Sequence, residues 1–241
     1  MFQKRSLRPE RIDTGDYTPE EYNRFLREIA FINRVLGDGR ALRKTLFREI
    51  ARDNLKEFSL LDVGAGSGEL LRYTADFARK TGRCARLTGI DLSSISAGAT
   101  RSMSVGYPEI ASIRGDALKL PFSDASFDYA ISSLFFHHLT DEQIAVALGE
   151  MSRVARRGVF VIDLHRHPAA YVLFKLFCTA FRISPLVRED GSLSILRGFK
   201  PSELLNLGTE LHPRKISIRR FSPFRVVLTG RNRTRRECAE R

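Results

Sequence analysis

Leu60-Leu61-Asp62-Val63-Gly64-Ala65-Gly66-Ser67-Gly68 is a short apolar run that ends in an acid and breaks into alternating glycines. The apolar run reads as a buried strand. Glycines at 64, 66 and 68 let the backbone turn sharply and approach a ligand that a β-carbon would push away. The segment after them reads as a helix, whose first turn offers unpaired N–H groups and the positive end of a dipole. Strand, glycine turn and helix in that order set a ligand pocket at the carboxyl edge of an open α/β sheet.

A dinucleotide-binding turn would carry its third glycine at position 69, which is Glu69. The tighter spacing found here is followed by further segments in a fixed order. Leu87-Thr88-Gly89-Ile90-Asp91-Leu92-Ser93 reads as a second strand ending in an acid. Arg114-Gly115-Asp116-Ala117-Leu118 comes next, and residues 120–128 lead into the strand Tyr129-Ala130-Ile131-Ser132-Ser133. Taken together, these segments resemble the class I S-adenosylmethionine-dependent methyltransferases. Within that class they are similar to the small-molecule branch of ubiquinone/menaquinone-type and type 11 enzymes. The resemblance covers about residues 58–163.

The resemblance implies a three-layer, Rossmann-like α/β fold. Its seven-stranded, mostly parallel sheet would run in the order 3-2-1-4-5-7-6 with strand 7 antiparallel. It implies S-adenosyl-L-methionine as cofactor and S-adenosyl-L-homocysteine as product. Gly64, Ala65, Gly66 and Gly68 would line the methionine and ribose portions, with Asp62 just before the turn. Asp91 would hold the ribose hydroxyls and Leu92 would pack on the adenine. Asp116 and Ala117 would meet the adenine edge, and Ser132 and Ser133 would lie beneath the sulfonium. Arg40 is a further candidate, for the cofactor's carboxylate.

Strands are expected near 58–63, 86–91, 110–114, 127–132 and 158–163, with helices near 67–81, 94–104 and 140–154; this alternation gives a parallel sheet. Residues 1–57 read as an N-terminal helical extension, of which 1–16 are polar and expected to be poorly ordered. Thr18-Pro19-Glu20-Glu21 starts a helix that Gly37-Asp38-Gly39 breaks. A second helix is expected from about 40 to 54. The methyltransferase-like domain spans 58–230 and contains a lid insertion at 164–200, with a helix at 168–182 and a loop holding Pro185 and Gly191. A short helix begins at Pro201, and the last two strands, about 214–221 and 224–229, flank a tight turn at Pro223. Residues 231–241 form a basic tail.

At 241 residues the chain is long enough for a core without staples. Cys84, Cys178 and Cys238 are far apart and match no ligand spacing, so neither a disulfide framework nor a zinc site is expected. No secretory signal and no apolar stretch of spanning length is visible, and a cytoplasmic location is expected. The formal charge of +12 reads as a solvated basic surface, because no aromatic–basic stacking pattern accompanies it. No specific nucleic-acid partner is expected, and the oligomeric state is left open.

Four histidines fall after strands 4 and 5: His137 and His138 in Phe135-Phe136-His137-His138-Leu139, and His165 and His167 beyond Asp163. Each is a candidate base for an acceptor that arrives protonated; His212 lies elsewhere. No carboxylate cluster of the catechol-methyltransferase kind accompanies them, so no metal is expected. Phe174, Phe177, Cys178 and Phe181 share one face of a helix in the lid region, which fits an apolar or aromatic acceptor. The reading is therefore a small-molecule methyltransferase, O-directed by preference, of secondary or quinone-like metabolism. The alternatives are a nucleic-acid methyltransferase and a non-catalytic cofactor-binding protein. Ser132-Ser133-Leu134-Phe135 stands where amino-directed nucleic-acid enzymes carry Asn/Asp-Pro-Pro-aromatic, which disfavours the first alternative.

Overall fold

The computed structural model describes residues 2–36, 38–210 and 215–231. Strands β1 (Glu57–Val63), β2 (Cys84–Asp91), β3 (Ile110–Arg114), β4 (Phe127–Ser133), β5 (Ala155–Leu164), β6 (Lys215–Phe221) and β7 (Arg225–Arg231) form one sheet. Its order is 3-2-1-4-5-7-6, and β7 runs antiparallel to both β5 and β6, as expected. Because β1 and β2 are parallel with Asp62 opposite Gly89 and Val63 opposite Ile90, Asp62 and Asp91 reach the same carboxyl edge.

The period-two alternation of a strand divides the core between two faces. Leu61, Val63, Ala130, Val159 and Val161 point to one face. There they pack on Ile144, Leu148 and Met151 of α7 (Asp141–Val154), together with Phe199 and Leu204. Leu60, Tyr129, Ile131, Phe160 and Ile162 point to the other, against Leu42, Leu46 and Ile50 and against Leu71 and Ala75 of α5 (Glu69–Lys80). Both faces are covered, which explains why these strands are almost continuously apolar. Helix α7 begins with a reciprocal capping box between Thr140 and Gln143.

Four expectations change. The segment read as poorly ordered is packed: Ser6 N–H donates to Leu196 O at 3.0 Å, and the Arg5 guanidinium donates to the carbonyls of Leu139 and Arg197. It continues into α1 (Arg11–Thr14), whose first two amides donate to Asp190. Polar residues here satisfy buried backbone groups rather than solvent, so polarity alone misread them. After α2 (Pro19–Leu36) the expected second helix is broken into α3 (Asp38–Leu42), a π-helical turn (Arg43–Phe47) and α4 (Arg48–Arg52). Pro185 and Gly191 do not mark a loop; they lie in α9 (Pro185–Arg197), with proline in the first turn. A β-carbon at Gly191 would stand 2.4 Å from Phe174, so close packing explains the glycine.

Finally, the aromatic stripe of α8 (Pro168–Ala180) is split. Phe174 and Cys178 are buried against Ile32 of α2 and Val187 and Ile195 of α9, whereas Phe181, just past the helix, is exposed. Helices α2, α8 and α9 thus share a third apolar cluster. Among the described residues no helix is long and apolar enough to cross a membrane. Gly37, His212, Cys238 and all of the basic tail after Arg231 lie outside the described residues.

Asp38 and Arg225 form an ion pair in which both side chains are buried, joining α3 to β7. Removing one partner strands the other charge, which costs about 3–5 kcal/mol. Urea denaturation should therefore show Asp38→Ala losing that much. An apolar replacement of both residues should recover most of the loss.

Candidate active site

The turn after β1 is held in left-handed backbone at Gly64 (φ 73°), Gly66 (φ 55°) and Gly68 (φ 74°). A side chain at Gly64 would collide with the Phe135 ring at 2.5 Å, and one at Gly68 with Thr100 at 2.7 Å. Gly66 instead faces open space. The turn is tied down from outside: Thr100 Oγ1, on α6 (Ser94–Met103), donates to Gly66 O at 2.8 Å, and Arg72 donates to Ser67 O at 2.6 Å. The open side of Gly66 is the side a ligand can approach.

Asp91 binds this turn to the end of β2. Its Oδ2 accepts from Gly66 N–H at 2.9 Å and its Oδ1 from Ser93 N–H at 2.9 Å. Burial pushes its carboxyl up, and those two amides partly oppose the push. Each carboxylate oxygen retains a lone pair for a further donor. Asp62 is buried at the end of β1; burial, then the nearby Asp91 charge, push it up to about 7.

The remaining cofactor candidates are placed unequally. Leu92 is 65% exposed, an apolar side chain left uncovered at the strand end. Asp116 is exposed, with Oδ1 accepting from Leu118 N–H at 2.8 Å, and Ala117 packs against the core. The Ser132 hydroxyl is fully buried and donates to Val63 O at 2.7 Å, clasping β4 to β1. Ser133 Oγ, one residue on, is buried with no hydrogen-bond partner. Ala65 lies beside Gly89, partly buried. Arg40 is exposed on α3.

The four histidines separate into two pairs. His137 and His138 occupy a single 3₁₀ turn (Phe136–His138) after β4, with ring centres 4.2 Å apart. His137 is buried; its Nδ1 lies 2.8 Å from Asp163 Oδ1, and its amide donates to Asp163 Oδ2. Burial alone would raise the Asp163 carboxyl, but the His137 charge and hydrogen bond, with the Leu164 amide, hold it below the usual range. His138 Nδ1 lies 2.7 Å from Asp13 Oδ1. Burial would likewise raise Asp13, and the bond to His138 overrides it, drawing the carboxyl down to about 2.

His165 and His167 line a different cavity of about 690 Å³, together with Arg166, Lys200 and Arg220, and no residue of the glycine turn belongs to it. There His167 Nδ1 accepts from Ala169 N–H and caps α8.

Sequence reasoning missed Glu10, Asp13, Asp163 and Arg197. Asp163 had a visible signal, since it ends a strand as Asp62 and Asp91 do. Glu10 had none, because it lies in the segment read as unstructured. It is 2% exposed, burial pushes its carboxyl up to about 7, and its Oε1 stands 3.9 Å from His137 Nε2. Arg197 donates to the carbonyls of His137 and His138 and to Asp13, fixing the turn from α9. One ligating atom each of Glu10, His137 and His138 lies within 4.8 Å of the others.

Comparison with known proteins follows the same outline. Residues 61–162 match the family described as a methyltransferase domain. The chain is 31% identical over 120 residues to a demethylmenaquinone methyltransferase of Staphylococcus aureus strain MRSA252, covering 50% of this chain and 48% of that protein. It thus spans about half the length of the curated relatives it matches. Among solved structures, a SAM-dependent methyltransferase from Aquifex aeolicus aligns with TM-score 0.62 at 17% identity, over 89% of this chain and 98% of that one. Human N-acetylserotonin methyltransferase, solved in complex with SAM, aligns with TM-score 0.64 at 16% identity, over 95% and 64%. Magnesium protoporphyrin IX methyltransferase from Synechocystis PCC 6803, with bound SAH, aligns with TM-score 0.60 at 17% identity, over 89% and 95%. At these identities the structures share the fold.

The raised Asp62 carboxyl has a consequence for stability. The fold favours its protonated form, so the stability it contributes is present below the ordinary carboxylate range and is lost as pH rises through about 7. Asp62→Asn carries no such charge. Between pH 5 and pH 8 the thermal midpoint of Asp62→Asn should gain a few degrees on the wild type. A constant difference would contradict the assignment.

Proposed function

We propose that this chain, whose residues 61–162 match a methyltransferase domain, is a class I S-adenosylmethionine-dependent methyltransferase that moves a methyl group onto a small, apolar or aromatic acceptor, with oxygen as the favoured nucleophile. The observation that carries the reading is the Asp91 carboxylate fastened to the amide of Gly66, a turn residue whose β-carbon side is open. It puts a negative charge with free lone pairs where a vicinal diol can be gripped. The residues around it suit S-adenosyl-L-methionine. The exposed face of Leu92 offers a surface for the adenine, Asp116 retains a second oxygen for an amino group, and the unpartnered Ser133 hydroxyl stands at the end of β4. Gly64, Ala65, Gly66 and Gly68 would pass beside the ribose and methionine portions, and Arg40 is the remaining candidate for the carboxylate.

When bound, the sulfonium supplies an activated methyl group for in-line displacement. The protein's share is alignment and exclusion of water, and orientation of this kind is worth about 7–11 kcal/mol in well-placed systems. For the acceptor, the α2–α8–α9 group presents apolar side chains, among them Phe31 and Phe181, whose rings meet edge to face at 5.6 Å. His137 and His138 are the candidates for ionising a hydroxyl acceptor; His165 and His167, in their separate cavity, become the weaker choice. A cleft lined by Arg43, Lys44, Arg48, Arg219 and Arg220 favours an anionic acceptor such as RNA as the second reading.

Calorimetry with S-adenosyl-L-homocysteine should show binding that Asp91→Ala weakens by about 10–100-fold, the loss of hydrogen bonds to a charged group. Undiminished binding by that variant would remove the basis of the reading. A methyl-label screen over phenols, quinols and bulk RNA should then place label on a small aromatic acceptor. Incorporation into RNA alone would establish the second reading instead.

A further inference from the structure

Behind the 3₁₀ turn, two histidines and a glutamate converge, and each histidine is oriented from its far side by a carboxylate. Asp163 holds His137 Nδ1 at 2.8 Å, and Asp13 holds His138 Nδ1 at 2.7 Å. Carboxylates behind histidine rings in this way fix the ring and its tautomer for a metal on the other nitrogen. The inner nitrogen of His137, Nε2, looks at Glu10 Oε1 across 3.9 Å. That is too long for a hydrogen bond.

Glu10 Oε1 is the second, independent observation. It is fully buried and has no hydrogen-bond partner, on a side chain only 2% exposed. A buried carboxylate oxygen with nothing to accept from is costly. The spacing supplies its missing partner. Two ligands each about 2.0–2.2 Å from one ion stand about 3.4 Å apart in a tetrahedron and about 4.2 Å apart when opposed. The 3.9 Å gap lies between these limits, and the ligating atom of His138 needs only to close from within 4.8 Å of the other two to join them. The charge fits as well. The carboxylates of Glu10, Asp13 and Asp163 face two guanidiniums, Arg197 at 3.9 Å from Glu10 Oε1 and Arg5 near Asp163, so the acids are in excess.

We propose that Glu10, His137 and His138 form a binding site for a single divalent transition-metal cation of the zinc class. Two imidazoles and one carboxylate are a three-ligand set that leaves a coordination position open. The His138 side is the exposed side, its ring being 23% accessible against 4% for His137. The turn that carries both histidines follows β4 at the carboxyl edge of the sheet, so the more exposed His138 side is where a small oxygen ligand can reach the ion. The site rests on its own geometry, and an ion held there would occupy the ring nitrogens that His137 and His138 would need to act as bases.

The full-length protein, stripped with chelator and dialysed, should bind about one equivalent of Zn²⁺ per chain. With Co²⁺ as the probe it should give the visible absorption of a low-coordinate N/O site. Glu10→Gln and His138→Gln should each weaken Zn²⁺ at least tenfold, and Asp163→Asn by about 10–100-fold. Cys84→Ser, remote from the site, should leave the affinity unchanged. Zn²⁺ should raise the thermal midpoint of the wild type and not that of His138→Gln. The His138 ring is partly exposed, so this variant gives the readout even if Glu10→Gln fails to fold. Absence of saturable binding, or binding that His138→Gln leaves intact, would overturn the proposal.

Discussion

The bond from Gly66 N–H to Asp91 Oδ2 is the constraint on which the candidate site turns. It fastens the loop after β1 to the end of β2, so that one carboxylate sets the path of the glycine turn. Thr100 fixes the other side of the same residue through its carbonyl. A loop of three left-handed glycines would otherwise be among the most mobile parts of the chain. Clamped between two side chains, it keeps an open face at a fixed place on the sheet edge.

Three acids lie at the carboxyl ends of β2, β1 and β5, with β4 between the last two, and their surroundings drive them apart. Asp62, without a cation beside it, is pushed up by burial. Asp91, held by two amides, is pushed up less freely. Asp163, equally buried, is held down because His137 stands against it. Position in the fold is equivalent for the three, so the partner and not the depth sets the charge. This division fastens one strand end to the glycine turn and gives another to the orientation of a histidine.

The sheet was legible from the chain because its signals are local: apolar strands, a glycine turn, and acids at strand ends. The turn at 60–68 and the segment at 87–93 carried the family resemblance, and the strand order with its antiparallel β7 came with that resemblance. What escaped had no local pattern. Residues 2–14 are polar because they bind the carbonyls and carboxylates of a distant part of the chain, and polarity of that kind looks like solvation. Pro185 and Gly191 look like loop residues, yet one starts a helix and the other makes room for Phe174. The seryl pair after β4 illustrates the limit at the site itself. Ser132 and Ser133 were indistinguishable in sequence, but strand alternation turns the first hydroxyl inward to Val63 and leaves the second without a partner.

The strap formed by residues 2–14 crosses the 3₁₀ turn and contributes Glu10 and Asp13 to its far wall. Half of the histidine pocket is therefore encoded some 125 residues ahead of the histidines, in a stretch that adds nothing to the sheet. Such an arrangement separates inheritance of the scaffold from inheritance of the chemistry. Drift in a dozen leading residues can redesign that wall while the glycine turn and the strand ends stay as they are.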